Sequence, residues 1–188
     1  MPYLDLVLAD QSGEISAKLW DYKEEAQGTF AANDLVKVRG RIDVYNGADQ
    51  LRIDRIRKVV PSDNVQISDY VPSAAYDGAW MLSEIRSLVV AFENTDLKEL
   101  VTELLDEYEE KLLYWPAAFK LHHAIRGGLL CHTLSIVRLA QGVCHVYPFI
   151  DQELLLSGAI LHDIAKIEEF TVSSTGIASG YTSQGMLI

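Results

Sequence analysis

Along the first sixty residues apolar and polar positions alternate with a period of two. From Tyr3 to Asp10, Leu4, Leu6 and Leu8 fall on one side, with Tyr3, Asp5 and Val7 on the other. The stretch Asp10-Gln11-Ser12-Gly13 reads as a turn, and Glu14 to Trp20 alternates again with Ile15, Ala17 and Leu19 inward. A polar stretch through Ala32 reads as a helical turn or a loop. Then Val36, Val38, Gly40, Ile42 and Val44 make one face of a long strand, and Lys37, Arg39, Arg41, Asp43 and Tyr45 make the other. Asn46-Gly47 is a tight-hairpin signal, and Gln50 to Arg57 returns as the last strand. Its inward phase slips between Ile53 and Ile56, which predicts a bulge. Four short strands, one with a glycine at its centre, predict a small and strongly bent barrel.

Residues 61–74, with Pro61 and Pro72 among polar positions, read as a linker. Beyond it the period becomes helical. Four helices are predicted: Ala79 to Phe92, Leu97 to Leu113 with an acidic outer face, Gly128 to Val146, and Gln152 to Ala165. The last two are joined by a short turn around Tyr147-Pro148-Phe149. The expectation is an α+β chain of two domains, a β-barrel over 1–60 and an all-α domain over 75–188.

Charge changes this picture in one place. The chain of 188 residues carries a formal net charge of −11, which by itself disfavours a nucleic-acid partner. Residues 1–60 are nearly balanced, however, with 9 basic and 10 acidic groups, and between Lys37 and Lys58 seven basic residues face three acidic ones. Local fields decide where a polyanion docks. Lys18, Lys37, Arg39, Arg41 and Arg52, interleaved with Trp20 and Tyr45, suit a single strand, with cations for phosphates and flat rings for bases. The plain alternatives are a solvated strand face and a Trp20 that caps the barrel core. No secretion signal opens the chain and no apolar run approaches a membrane span. Cys131 and Cys144 lie about 20 Å apart if one helix carries both, too far for a disulfide. Free thiols point to the cytoplasm.

The fourth predicted helix runs into Leu161-His162-Asp163-Ile164-Ala165-Lys166. If it folds back on its predecessor about Pro148, His162 faces a point near position 134, and His132 lies two residues away, roughly 3 Å along the axis. Two imidazoles and a carboxylate would then converge. That donor set suits Mn, Fe, Zn or Mg-like ions, and an aspartate beside a histidine can bridge two of them. The alternative is a buried His-Asp hydrogen bond that pins the helix end. Lys166 follows on the same side and could hold a phosphate, or could complement the helix C-terminus. Arg126 precedes a helix start, where phosphate binding is natural. His122 and His123 sit on a loop or helix end, one of them able to face the site.

The stretch Leu121-His122-His123-Ala124-Ile125-Arg126-Gly127-Gly128-Leu129-Leu130-Cys131-His132-Thr133, followed by His162-Asp163-Ile164-Ala165-Lys166, resembles the HD metal-dependent phosphohydrolases. It is most similar to the YhaM-type 3′→5′ exoribonucleases, which place an OB-fold ahead of an HD domain. Tyr3 to Asp10 and Ala17 to Asp21 match the OB portion. The resemblance implies His132 as first metal ligand and His162-Asp163 as the doublet, with Asp163, Lys166 and Arg126 in catalysis. It also implies a divalent metal, manganese first with Mg, Fe, Co or Zn as alternatives, and single-stranded RNA, or single-stranded DNA, as partner.

Some family features are expected to lie elsewhere. Later ligand histidines and a final aspartate have no counterpart here, the OB-fold normally begins a strand earlier, and Tyr181 to Ile188 looks like the approach to a further helix. Cys131 stands where an acidic residue is frequent, and Ala165 where glycine is. The expectation is therefore a portion of a longer enzyme, with apolar faces around Leu129, Ile136 and Leu155 partly uncovered and homo-oligomers possible. The rival readings are an HD-type nucleotide phosphohydrolase and a non-catalytic RNA-binding module.

Overall fold

A computed structural model describes residues 2–10, 12–120 and 122–187; Gln11 of the expected turn, Leu121 of the histidine-rich stretch, Met1 and Ile188 lie outside the described residues. The chain forms two compact units, Met1–Pro72 and Ser73–Ile188, and is α+β.

In the first unit the alternating segments become β1 (Tyr3–Asp10), β2 (Gly13–Trp20), β3 (Val36–Tyr45) and β4 (Ala48–Lys58), with a four-residue helix, α1 (Glu24–Gln27), between β2 and β3. Each period-two segment makes a strand because alternate side chains can then share one buried face. β1 and β2 form an antiparallel hairpin, as do β3 and β4, and β2 pairs with β4 in parallel, giving the order β1-β2-β4-β3. Ala17, Leu19, Ile53 and Ile56 are buried, with Leu4, Leu6, Leu8, Val36, Val38 and Leu51 packed against them.

Two features of the sheet depart from the alternation. Among the described residues β1 and β3 are unpaired edges, so the ladder is an open sheet. Ile42 and Val44, expected inward, are 57% and 73% exposed. The parallel β2–β4 pairing ends at Gln50, while Val44 stands opposite Asp49 and so runs past it; Ile42, opposite Leu51, lies next to the last pair of that pairing. The bulge is present: Arg39 pairs with Arg55 but Gly40 with Ile53, leaving Asp54 as the extra residue. Gly40 is required there, because a Cβ would lie 2.3 Å from the Arg52 carbonyl oxygen.

After β4, single 3-10 turns occupy Pro61–Asp63 and Ile67–Asp69. The Asp63 carboxylate accepts from Lys37 Nζ at 2.8 Å, from both Arg57 terminal nitrogens at 2.6 and 2.7 Å, and from the Val60 amide at 3.0 Å. Three cationic or amide donors hold this carboxyl well below the usual carboxylate range, the Arg57 bonds contributing most. The start of the stretch read as linker is therefore fastened to the sheet.

The second unit contains α2 (Gly78–Val90), α3 (Thr95–Glu107), α4 (Glu109–Leu112), α5 (Gly128–Val146), α6 (Gln152–Leu161) and α7 (Lys166–Glu169), then β5 (Phe170–Val172) and β6 (Ala178–Tyr181). Asp77, Asn94 and Asp151 cap α2, α3 and α6 by accepting from first-turn amides. Met81, Ile85, Val101, Leu129, Leu130, Val137 and Ile160 lie in one core. α5, of 19 residues, has membrane-spanning length and apolarity, but its buried side belongs to this core.

The all-α expectation is corrected by the β5–β6 hairpin, where Gly176 takes a φ of +84° in the turn. The predicted Leu97–Leu113 helix breaks at Tyr108, whose φ of −103° and ψ of 8° leave the helical range. The last predicted helix stops at Leu161 rather than Ala165. Leu129, expected to be partly uncovered, is buried.

Candidate metal centre and basic sheet face

α5 and α6 are antiparallel neighbours, and their contact brings His132 to the C-terminal end of α6. His132 Nε2 and His162 Nε2 are 3.1 Å apart, and Asp163 Oδ2 lies 3.4 Å from the first and 3.5 Å from the second. The three donor atoms form a candidate cation cluster within 4.8 Å of one another, half-buried at His132 and Asp163 and exposed at His162. His162 is the C-cap of α6, and its Nδ1 sits 2.9 Å from the Ala159 carbonyl oxygen. A carbonyl only accepts, so Nδ1 carries the proton and Nε2 presents its lone pair to the cluster. Backbone orientation of this kind is how metal-binding imidazoles are held.

Desolvation pulls the His132 imidazole below its ordinary pKa; His162, His123 and Lys166 add to that, while the Asp163 carboxylate opposes it. This shift favours the neutral imidazole, the form in which a histidine binds a metal. Two imidazole nitrogens and one carboxylate oxygen, all within 3.5 Å of one another, are chemically a fit for a borderline divalent cation.

Lys166 Nζ is 3.8 Å from Asp163 Oδ2, and its own backbone carbonyl accepts from the Trp115 indole at 3.1 Å, which locks the first residue of α7 in place. Arg126 has other contacts. Its guanidinium lies over the Tyr114 ring, 5.3 Å from the centroid, and donates to the Thr175 carbonyl at 3.2 Å. Burial lowers its pKa. The expected phosphate site at the start of α5 meets a physical obstacle: the Gly128 and Leu129 amides already donate to the Ile125 and Trp115 carbonyls.

His123, left undecided between two adjacent histidines, lies beside the cluster with its ring centroid 5.6 Å from that of His132. It adopts a left-handed φ of +61°, and α5 approaches its carbonyl so closely that a Cβ on Gly128 would sit 2.0 Å from that oxygen. The histidine doublet ahead of Gly127-Gly128 was the only signal for it. His122 is exposed, and so is His145.

The nucleic-acid candidates share the outward face of the sheet. Lys18 stands opposite Arg52, which stands opposite Arg41, so three cations cross three strands in one row. Lys18 Nζ lies 5.1 Å from the Tyr3 ring centroid and 5.9 Å from that of Trp20, and the two rings are 5.2 Å apart. Trp20 is 44% exposed and Tyr45 62%, so Trp20 is not sealed into the core. Tyr3, opposite Trp20 on β1, joins this group. Lys37 is held by Asp63 and Arg39 stands opposite Arg55.

Fold and cluster together outline a class: a β-sheet unit with a basic, ring-bearing face and a helical unit with a three-donor candidate cation cluster. Known proteins resemble the chain along its whole length. The chain is 37% identical over 187 residues to the 3′-5′ exoribonuclease YhaM of Bacillus pumilus, 37% to that of Listeria welshimeri and 36% to that of Bacillus subtilis; each match covers 100% of this chain and 59% of the relative. The chain therefore spans about three fifths of the length of these relatives. A family described as "Putative helicase" (TraI_2) matches residues 79–155, which include His132 but not the His162-Asp163 doublet.

Proposed function

We propose that this chain carries the strand-binding unit and the metal-ligating helices of a 3′→5′ exoribonuclease acting on single-stranded RNA, the first unit as an OB-type sheet and the second as an HD-type domain. The observation that carries the reading is the convergence of His132 on α5 with His162 and Asp163 at and just past the end of α6. The relatives' names supply the substrate class. The sheet supports the OB reading by its bent hairpin, its bulge and its parallel β2–β4 pairing, four strands of a kind of barrel that has five.

His132, His162 and Asp163 would hold the cation, with manganese the first expectation. When bound, a divalent ion supplies Lewis-acid charge for a phosphate oxygen and acidifies water at neutral pH. The protein's own groups do the rest. Ala159 orients the His162 ring. Lys166, beside Asp163, is placed to offset charge on a phosphate. Arg126 is assigned to holding the loop at Thr175 rather than to substrate. Trp20, Tyr3 and Lys18 would stack and pair with the strand. The two free cysteines fit a reducing compartment such as the cytoplasm.

Calorimetric titration with manganese, paired with a gel assay on end-labelled single-stranded RNA, tests this reading. Saturable manganese binding is expected, weakened at least about tenfold in His132→Ala or Asp163→Ala. RNA that shortens from its 3′ end only with metal present supports the proposal. A wild-type protein that binds neither manganese nor another divalent ion would overturn it.

A further inference from the structure

Three like-charged pairs follow one another across the β3–β4 ladder: Lys37 opposite Arg57, Arg39 opposite Arg55, and Arg41 opposite Arg52. Like charges directly opposite each other weaken a sheet, so each pair invites the question of what compensates it. For Lys37 and Arg57 the answer is Asp63, whose side chain is only 6% exposed between them. Arg41 has Asp54 at 4.0 Å. Among the described residues, no carboxylate stands within ion-pair distance of Arg39 or Arg55.

The bulge is what creates this middle pair. With Asp54 as the extra residue, Ile53 and Ile56 both remain buried while Asp54 and Arg55 are exposed. Without the bulge, strict alternation would turn either Ile56 or Arg55 to the wrong side. Gly40 tolerates the close approach that results. Arg39 and Arg55 thus line one groove of about 540 Å³ together with Gln27 of α1, the Asp63-held Lys37 and Arg57, and Asp54, which lies 4.0 Å from Arg41. Two guanidinium groups, each a planar fork of donors, are suited to one phosphate in a way two ammonium groups are not.

We propose that Arg39 and Arg55 form a clamp for a backbone phosphodiester of single-stranded nucleic acid, distinct from the Tyr3–Lys18–Trp20 group. This rests on the RNA reading above. The phosphate accepts from both guanidinium groups and removes the repulsion between them; no bond is made or broken.

The test is fluorescence anisotropy of a labelled single-stranded oligouridylate with the whole chain, in chelator so that nothing is cut, over a series of salt concentrations. Arg39→Gln and Arg55→Gln should each weaken binding about tenfold and flatten the salt slope by roughly 0.7 per lost phosphate contact. Arg55→Lys should fail to restore the wild-type affinity. Lys98→Gln, in the helical unit where the lysine donates to the Val90 carbonyl, should leave affinity and slope close to wild type. Removing either arginine should leave the thermal midpoint unchanged or raise it, which a merely structural residue would not do. Wild-type binding with unaltered slopes in both arginine variants overturns the clamp alone, as does a Lys98→Gln loss equal to theirs. A wild-type protein that does not bind the oligonucleotide overturns the RNA reading and the clamp with it.

Discussion

At the scale of single residues, Asp63 shows how one carboxylate can govern a surface. It accepts four hydrogen bonds from two cations and one amide, so its folded pKa is depressed relative to an unfolded value of about 3.9. A depressed carboxylate contributes stability that is present above the unfolded pKa and is lost as pH falls toward the folded one. Asp63→Asn should therefore lower the thermal midpoint at pH 7, and the gap to wild type should close as pH falls below about 4. Thermal unfolding across a pH series checks this; a gap that stays constant to low pH would show that the charge is not what Asp63 contributes. At the other end of the chain His162 is set by a single carbonyl, that of Ala159. Its tautomer follows from that contact rather than from its neighbours in sequence.

At the scale of elements, the loop carrying His123 and the start of α5 are packed to contact. Gly128 leaves room for the His123 carbonyl that no side chain could share. Gly128→Ala should cost about 1–3 kcal/mol by overpacking and should also weaken manganese binding, since the displaced loop adjoins His132. Denaturant unfolding and calorimetry on the same variant would separate the two effects; full stability with full metal affinity would contradict the close approach. A core position on α2 behaves differently. Ile85 is fully buried, so Ile85→Ala should cost about 2–5 kcal/mol, read as a fall in the denaturant midpoint with an unchanged slope.

At the scale of the whole molecule, the two units carry separate cores and very different charge, and the proposed labour is divided between them. In a full-length version of the enzyme, Asp163→Ala should abolish turnover yet leave single-strand affinity within about twofold, because most of the groups that would neutralise phosphates lie in the first unit. Anisotropy and a nuclease assay on the same preparation decide it; equal loss of binding and turnover would place the strand's main contacts on the helical unit instead. The net charge of the chain is a poor guide here, since the potential near a row of Lys18, Arg52 and Arg41 is set locally.

What was legible in the sequence was whatever depends on periodicity and on neighbours along the chain. The four strands, the bulge between Ile53 and Ile56, the Asn46-Gly47 turn, the long α5 and the facing of His132 with His162 all follow from repeats of 2.0 and 3.6 residues and one fold-back at Pro148. What was not legible depends on groups far apart in sequence. The pairing of Lys37 and Arg57 by Asp63, the Thr175 contact that occupies Arg126, and the left-handed His123 beside His132 are fixed by packing at distances the chain order does not encode. Alternation can say that Lys37, Arg39 and Arg41 share a face. Only the tertiary structure decides which of those charges is already spoken for, because an ion pair forms wherever folding brings a carboxylate near.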